Sequence, residues 1–223
     1  MIEYFLPILA VIIGVAFVAF SKKDKPLNTK LLLSFSGAFL LALTLFELLP
    51  EVYQHLEAKK TGLFIMFGIL IQVILEFFSK GAEHGHVHHS NSNAFPWVLF
   101  VSLCIHSFLE GFPIHQHNDM VYGVLVHKIP IAIVITTFLM YTNCSKLKVA
   151  GFLTLFAAMT PLGTFISQHL TILANYISII NAIVIGIFFH ISTTILFESD
   201  EGHKFSLTKL LAILSGIAIA YYI

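Results

Sequence analysis

The chain has 223 residues, of which 57% are hydrophobic and only 11% are charged. Soluble domains carry about 25% charged residues, so this composition and a mean hydropathy of +0.90 exclude an ordinary water-soluble protein. The formal net charge is zero, all 12 basic residues are lysine, and histidine is equally frequent, with 12 copies. This histidine excess needs a chemical reason.

Eight stretches are long and apolar enough to cross a membrane, for which about 20 residues are needed. In chain order they lie near 2–20, 31–50, 61–79, 95–114, 119–141, 148–169, 175–197 and 206–223. The connectors are short, so we predict a single transmembrane transporter domain over 1–223 in an all-α membrane protein. The longest connector is rich in Gly, Ser, Asn and His, and predicts a His-rich loop at about 80–94.

The placement of lysine predicts how the spans are oriented. Nine lysines follow odd-numbered spans, whereas only Lys59 and Lys60 follow even-numbered ones. Because cytoplasmic loops carry an excess of lysine, we expect the odd-numbered loops in the cytoplasm and both termini outside. The expected location is the cell membrane, as a multi-pass protein of a bacterial inner membrane.

Ionisable residues inside the spans are where function is expected, because a charge at the bilayer centre costs about 2.5–3.5 kcal/mol on insertion scales. The predicted spans contain Glu47, His106, Glu110, His127, Lys128 and His190. Such side chains normally face a protein interior or a water path. Glu47 could act as an ion relay on the pathway or as a helix-packing partner.

Spans four and five contain a set of metal-ligand residue types. His106 and Glu110 are four residues apart, so they project from one helix face, and His127 lies at comparable depth on the antiparallel neighbour. Two imidazoles and one carboxylate suit Zn²⁺, with water completing the shell. Pro113 and Pro130 each remove a backbone donor and can kink their helices.

Two alternatives remain open on these residues alone. Glu110 and Lys128 could form a structural salt bridge, with the histidines hydrogen-bonded between helices. The same ligands could also hold a catalytic water in an intramembrane zinc-dependent hydrolase, with Ser107 or a free acid as a second catalytic group. The sequence has no His-Glu-x-x-His motif to favour the hydrolase.

Four motifs make the chain resemble the ZIP family of metal transporters (Zrt-, Irt-like proteins). HSFLEG (106–111) and HKIP (127–130) resemble the fourth- and fifth-span motifs, GAFLLALTLFELLPE (37–51) the second, and MTPLG (159–163) the sixth. The resemblance implies eight spans, outward termini and a histidine-rich cytoplasmic loop. It also implies two inverted three-helix repeats, spans 1–3 and 6–8, around spans 4 and 5.

Residue by residue, the resemblance implies a primary metal site at His106, Glu110 and His127. The family's second, adjacent site would use positions that here hold Ser107 and Lys128. An ammonium cannot ligate a cation, but its charge can replace that of a second metal, so we predict a single-site transporter.

Other histidines are candidate ligands. His190 could contribute from span seven, or it could be an interhelical hydrogen-bonding residue. The loop histidines could collect a released ion, or belong to a solvated linker; they are His84, His86, His88 and His89. At the outer end of spans four and five, His115, His117 and Asp119 could attract cations or form a polar turn.

These interpretations predict an importer of divalent transition metal ions. Zn²⁺ is the expected substrate, with Fe²⁺, Mn²⁺ and Cd²⁺ as alternatives. Transport would proceed by alternating access, with one helix group rocking against the other. We expect no enzymatic activity, no cofactor and no nucleic-acid partner. The expected partners are the metal ion and the lipid bilayer, and a homodimer is an open alternative.

Overall fold

The computed structural model describes residues 1–21, 29–79, 96–116, 119–142, 144–198 and 206–223. Within these ranges the chain is helical and has no strand. The α-helices are α1 (Ile2–Phe20), α2 (Lys30–Leu43), α3 (Leu49–His55), α4 (Ala58–Ser79), α5 (Trp97–Leu109), α6 (Met120–Tyr141), α7 (Lys146–His169), α8 (Ile177–Glu198) and α9 (Leu207–Tyr222). A π-helical segment (Thr44–Leu48) joins α2 to α3, and 3-10 segments lie at Pro113–His115 and Thr171–Tyr176.

Seven helical stretches in the described ranges are long and apolar enough to cross a membrane, and they match the first seven predicted spans. Helices α2 and α3 with the π-helical segment between them form one continuous span, Lys30–His55. The eighth predicted span is α9, which is apolar but has only 16 described helical residues. The chain is therefore a multi-pass, all-α membrane protein, as predicted.

Packing divides the helices into two groups. The first helix group contains α1, α5, α6 and α7, which pack as the pairs α1–α6, α5–α7 and α1–α7. The second helix group contains α2, α3, α4, α8 and α9, whose main pairs are α4–α8, α2–α9 and α2–α8. The two groups meet mainly along α2–α6 and α4–α5. Of the seven spans, α6 has the largest buried share, so it lies at the centre of the bundle.

The predicted fourth span is not one helix. It was expected to run to about 114, but α5 ends at Leu109, and a turn and the 3-10 segment Pro113–His115 follow. The reason is that Pro113 has no backbone N–H and its ring clashes with a preceding helical turn. Pro130, by contrast, lies inside α6, which continues as an α-helix on both sides of it.

Two glycines bring this turn against α7. A Cβ at Gly111 would overlap the Thr160 carbonyl oxygen, and a Cβ at Gly163 would overlap the Phe108 carbonyl oxygen. Only glycine lets the two backbones approach so closely, as is common between membrane helices. This contact holds the end of α5 beside the middle of α7.

Candidate metal centre

Three potential metal ligands meet between α5 and α6. One ligand atom from each of His106, Glu110 and His127 can be chosen so that all lie within 4.8 Å of one another. Each of the three residues is only 1% exposed. Among the described residues, no other group of three or more His, Cys, Asp or Glu side chains has this geometry. The imidazole of His127 thus faces the carboxylate and not the lipid.

The local structure explains how these side chains converge. His106 lies in the last turn of α5, and the backbone N–H of Glu110 donates to the His106 carbonyl at 3.1 Å, so the helical spacing extends to the carboxylate. His106 Nε2 lies 3.5 Å from Glu110 Oε2. The His106 and His127 rings are 6.2 Å apart between centroids and are nearly perpendicular, at 80°.

The other carboxylate oxygen, Glu110 Oε1, is held by three side chains that we call the carboxylate clamp: Ser107, Lys128 and Thr160. Lys128 Nζ contacts Oε1 directly and also donates to Ser107 Oγ at 2.5 Å and to Thr160 Oγ1 at 2.7 Å. Thr160 Oγ1 lies 2.6 Å from Oε1, and Ser107 Oγ lies 3.3 Å from it. The clamp therefore occupies Oε1, while Oε2 points toward His106.

The Lys128 ammonium is a fully partnered buried charge. It contacts the carboxylate and two hydroxyls, and it also lies 4.4 Å from the ring centroid of Phe156 on α7, within cation–π range. Burying a charge is costly unless it is paired and hydrogen-bonded, and this lysine meets both conditions. The salt bridge expected as an alternative to a metal site is thus present, but it uses a different oxygen of Glu110 from the one beside His106.

Thr160 and Phe156 are contacts of Lys128 that were not predicted from the sequence. Thr160 is completely buried, and its hydroxyl also lies 2.9 Å from the Ser107 carbonyl oxygen. It stands in the MTPLG segment, where a buried hydroxyl before a proline inside an apolar span is a signal that could have been noticed. Phe156 is one of 22 phenylalanines, and nothing in the sequence distinguishes it.

His190 lies apart from the three-residue cluster. Its Nε2 is 2.5 Å from Glu76 Oε2, a contact that joins α8 to α4 within the second helix group. The two side chains are 20% and 22% exposed. Of the two roles considered for His190, the structure shows an interhelical hydrogen bond.

Glu47 was expected to be buried in span two, and this expectation was wrong. It lies in the π-helical segment and its side chain is exposed, whereas Thr44 and Leu48 in the same segment are buried. A π-helical turn accommodates an extra residue and shifts the faces that follow it, so spacing alone did not predict this orientation. The loop histidines His84, His86, His88 and His89, together with His117, lie outside the described residues.

The fold and the site define a class of protein: a multi-pass α-helical membrane protein with a buried His–Glu–His cluster between two central helices. Comparison with known proteins identifies the family. A profile described as ZIP Zinc transporter matches residues 79–223, and the chain belongs to this family. A 93-residue stretch is 33% identical to zinc transporter ZIP1 of Danio rerio, covering 38% of this chain and 30% of that protein. The match thus spans less than a third of the curated relative's length.

Proposed function

We propose that the protein transports divalent transition metal ions, Zn²⁺ first, across the membrane through the His106, Glu110 and His127 site. The observation that carries this proposal is the convergence of these three ligands at full burial between two membrane helices. Membership of the ZIP zinc transporter family supports it. The relative from Danio rerio, a zinc transporter by name, supports zinc as the ion.

The chemistry of the site suits transient binding. A bare divalent ion cannot enter hydrocarbon, so ligands must replace part of its water shell. Zn–N and Zn–O bonds of about 2.0–2.2 Å at a tetrahedral angle separate two ligand atoms by about 3.4 Å. The 3.5 Å between His106 Nε2 and Glu110 Oε2 fits that separation. Three protein ligands leave a fourth position for water, which allows release more readily than a closed four-ligand site.

We propose that the site holds one ion at a time. The Lys128 ammonium already occupies the space beside Glu110 Oε1, with Ser107 and Thr160 as its other partners. A second cation there would have to displace this buried ammonium. The two positions predicted to replace the family's second site, Ser107 and Lys128, therefore act as a fixed substitute for a second metal.

Alternating access would come from movement between the two helix groups. All ligands and the clamp lie on α5, on the turn that follows it, and on α6 and α7, so the first helix group can carry the whole site as a unit. Hydrogen bonds between the groups include one from Ser102 Oγ to the Leu75 carbonyl at 2.6 Å and one from Asn181 Nδ2 to Gln116 Oε1 at 2.9 Å. Breaking them in turn would expose the site to one side and then to the other.

An inverted repeat would account for the helix pairing. In such a repeat, α1 corresponds to α7, α2 to α8 and α4 to α9, while α5 corresponds to α6. This correspondence relates the observed α4–α8 pair to the observed α2–α9 pair. It likewise relates the α1–α6 pair to the α5–α7 pair. Glycines follow the same exchange: Gly68 of α4 packs against the Ile183 backbone of α8, and Gly216 of α9 packs against the Phe35 backbone of α2. We propose that spans 1–3 and 6–8 are these repeats.

We propose import into the cytoplasm, at the cell membrane, with both termini outside. The nine lysines after odd-numbered spans against two after even-numbered ones support this orientation. A negative potential inside the cell favours inward movement of a divalent cation, by about 2.3 kcal/mol per charge per 100 mV. The His-rich loop at about 80–94 would then lie on the cytoplasmic side, where the ion is released.

The hydrolase alternative is not favoured. Its second catalytic group would be Ser107, but that hydroxyl accepts from Lys128, and the carboxylate it contacts, Glu110, is already paired with the same ammonium. The deciding experiment is zinc flux into liposomes that contain the purified protein, with lipid composition measured in parallel. Zinc entry without lipid turnover is the expected result, whereas lipid turnover without zinc entry would overturn the proposal. Competition by Fe²⁺, Mn²⁺ and Cd²⁺ in the same assay would define selectivity.

A further inference from the structure

We propose that Glu3 and His115 form a second metal-binding site that captures the ion at the surface before it reaches Glu110. This inference rests on the proposed function and on the proposed orientation, in which this end of the bundle faces outside. The ligand class is a divalent transition metal ion that still keeps most of its water.

The geometry of the pair fits a shared ion. Glu3 lies in the first turn of α1, and His115 lies in the 3-10 segment after the α5 turn. His115 Nδ1 is 3.6 Å from Glu3 Oε2, which is too long for a hydrogen bond but close to the roughly 3.4 Å that separates two ligands on tetrahedral zinc. The other oxygen, Glu3 Oε1, lies 3.8 Å from the Met1 amino nitrogen.

The two side chains are accessible and their supports are fixed. The His115 side chain is 40% exposed and that of Glu3 is 18% exposed, so a hydrated ion can reach them. Next to Glu3, the Tyr4 hydroxyl donates to Gln168 Oε1 near the end of α7, which anchors the first turn of α1. The 3-10 segment also packs on α6 and α7, so both ligands belong to the first helix group.

The Glu3–His115 pair lies close to the buried site. His115 is five positions after Glu110, so their Cα atoms are at most about 18 Å apart even for a fully extended chain. Both sites offer an imidazole nitrogen and a carboxylate oxygen, so an ion that passes from one to the other exchanges each ligand for one of the same chemical type. A two-ligand site keeps several waters on the ion, which favours weak binding and rapid exchange.

Electrostatics gives a reason for such a site. Because Lys128 neutralises Glu110, the empty buried site has no net charge with which to attract a cation from a distance. The Glu3 carboxylate lies at an accessible position, and its 3.8 Å contact with the fully exposed Met1 amino group is a surface pair of little strength, so Glu3 still supplies that attraction. Charge of this kind near a binding site raises the association rate by about 10–10³-fold, and the effect weakens with ionic strength.

The test is zinc uptake kinetics in proteoliposomes for the wild type, Glu3→Gln and His115→Ala. We expect each variant to raise the KM for zinc about tenfold with kcat unchanged, because Glu3→Gln removes a steering charge and His115→Ala removes a ligand. Glu3→Gln should also reduce the salt dependence of kcat/KM, which loss of a merely structural contact would not do. An unchanged KM in both variants would show that the pair is only a surface contact.

The chain offers a matched control in His169, at the end of α7. It is also exposed, but its Nδ1 contacts the Phe165 carbonyl at 3.0 Å and its ring stacks on the Phe165 ring, with 4.2 Å between centroids. His169→Ala should leave the KM unchanged. A KM increase equal to that of His115→Ala would mean that any exposed histidine suffices, and it would overturn the proposal.

A binding measurement separates this inference from the proposed function. In a Glu110→Ala background, calorimetry with zinc alone should show a weak site that Glu3→Gln removes, whereas any binding by the loop histidines would be the same with and without Glu3→Gln. If the wild type fails to transport zinc but this weak site is present, the proposed function fails and the capture site stands. If the wild type transports zinc and no residual site is present, the capture site is wrong and the function stands.

Discussion

Lys128 contacts one oxygen of Glu110 and leaves the other oxygen 3.5 Å from His106. One carboxylate thus serves both an internal ammonium and a potential external cation. The ion pair that spacing suggested as an alternative to a metal site is present, and it leaves the second carboxylate oxygen beside His106.

Removing a primary ligand should abolish most transport. We expect Glu110→Ala and His127→Ala each to reduce zinc uptake by at least about a hundredfold while still reaching the membrane, because loss of even an outer partner of a metal ligand costs 10–100-fold. Uptake per molecule of surface-labelled protein is the measurement. His55→Ala, an exposed histidine bonded to its own helix, is the control. Normal uptake in both ligand variants would show that these residues do not form the transport site.

The Thr160 hydroxyl should position Glu110 without binding the ion. Thr160→Val keeps the side-chain shape but removes a hydroxyl 2.6 Å from Oε1, so the carboxylate loses one of its supports. We expect zinc affinity to fall about tenfold, and Thr160→Ser to restore it. Calorimetry on the purified variants checks this. If the valine variant bound zinc as tightly as the wild type, Thr160 would be only a packing residue.

Replacing the resident ammonium by a carboxylate should create a second metal position. In Lys128→Asp, two buried carboxylates would face each other without a cation, so binding of additional metal becomes favourable. We expect the zinc content to rise from about one to about two ions per chain, or the selectivity among metals to change. Elemental analysis and competition calorimetry measure these outcomes. If neither changes, Lys128 is no more than a salt-bridge partner.

Close backbone contact between the α5 turn and α7 should be required for the site. A methyl group at Gly163 would overlap the Phe108 carbonyl oxygen, so Gly163→Ala must separate these elements. We expect stability to fall by about 1–3 kcal/mol, as in other overpacked positions, and zinc binding to weaken with it. Gly151→Ala in the same helix is the matched control, since a Cβ there meets nothing within 4 Å. Equal effects of the two substitutions would contradict this account.

His190 should matter for helix packing and not for zinc affinity. His190→Ala removes its 2.5 Å contact with Glu76, which joins α8 to α4. We expect a lower Tm in thermal unfolding with an unchanged Kd for zinc. Glu76→Gln, which keeps the side-chain size, should lower the Tm less. A large loss of zinc affinity in His190→Ala would instead make this histidine a ligand.

Much of the fold followed from composition and spacing. A membrane helix must be long and apolar, because no water is available to its backbone, and this physical demand makes each span visible in the sequence. The interruptions of the helices were less visible in the sequence. Pro113 ends α5 at Leu109, but the position of the following turn depends on how Gly111 meets α7, and the π-helical turn at Thr44–Leu48 leaves no clear local pattern.

The sequence by itself determined the class of the protein, the pairing of His106 with Glu110 on one helix face, and the family. These depend on hydropathy and on contacts within one helical turn, which are local. Only the tertiary structure decided that Thr160 and Phe156 surround Lys128, that Glu47 is exposed, and that Glu3 lies beside His115. Such relations join residues far apart in the chain, and they depend on how helices pack, which no local pattern records.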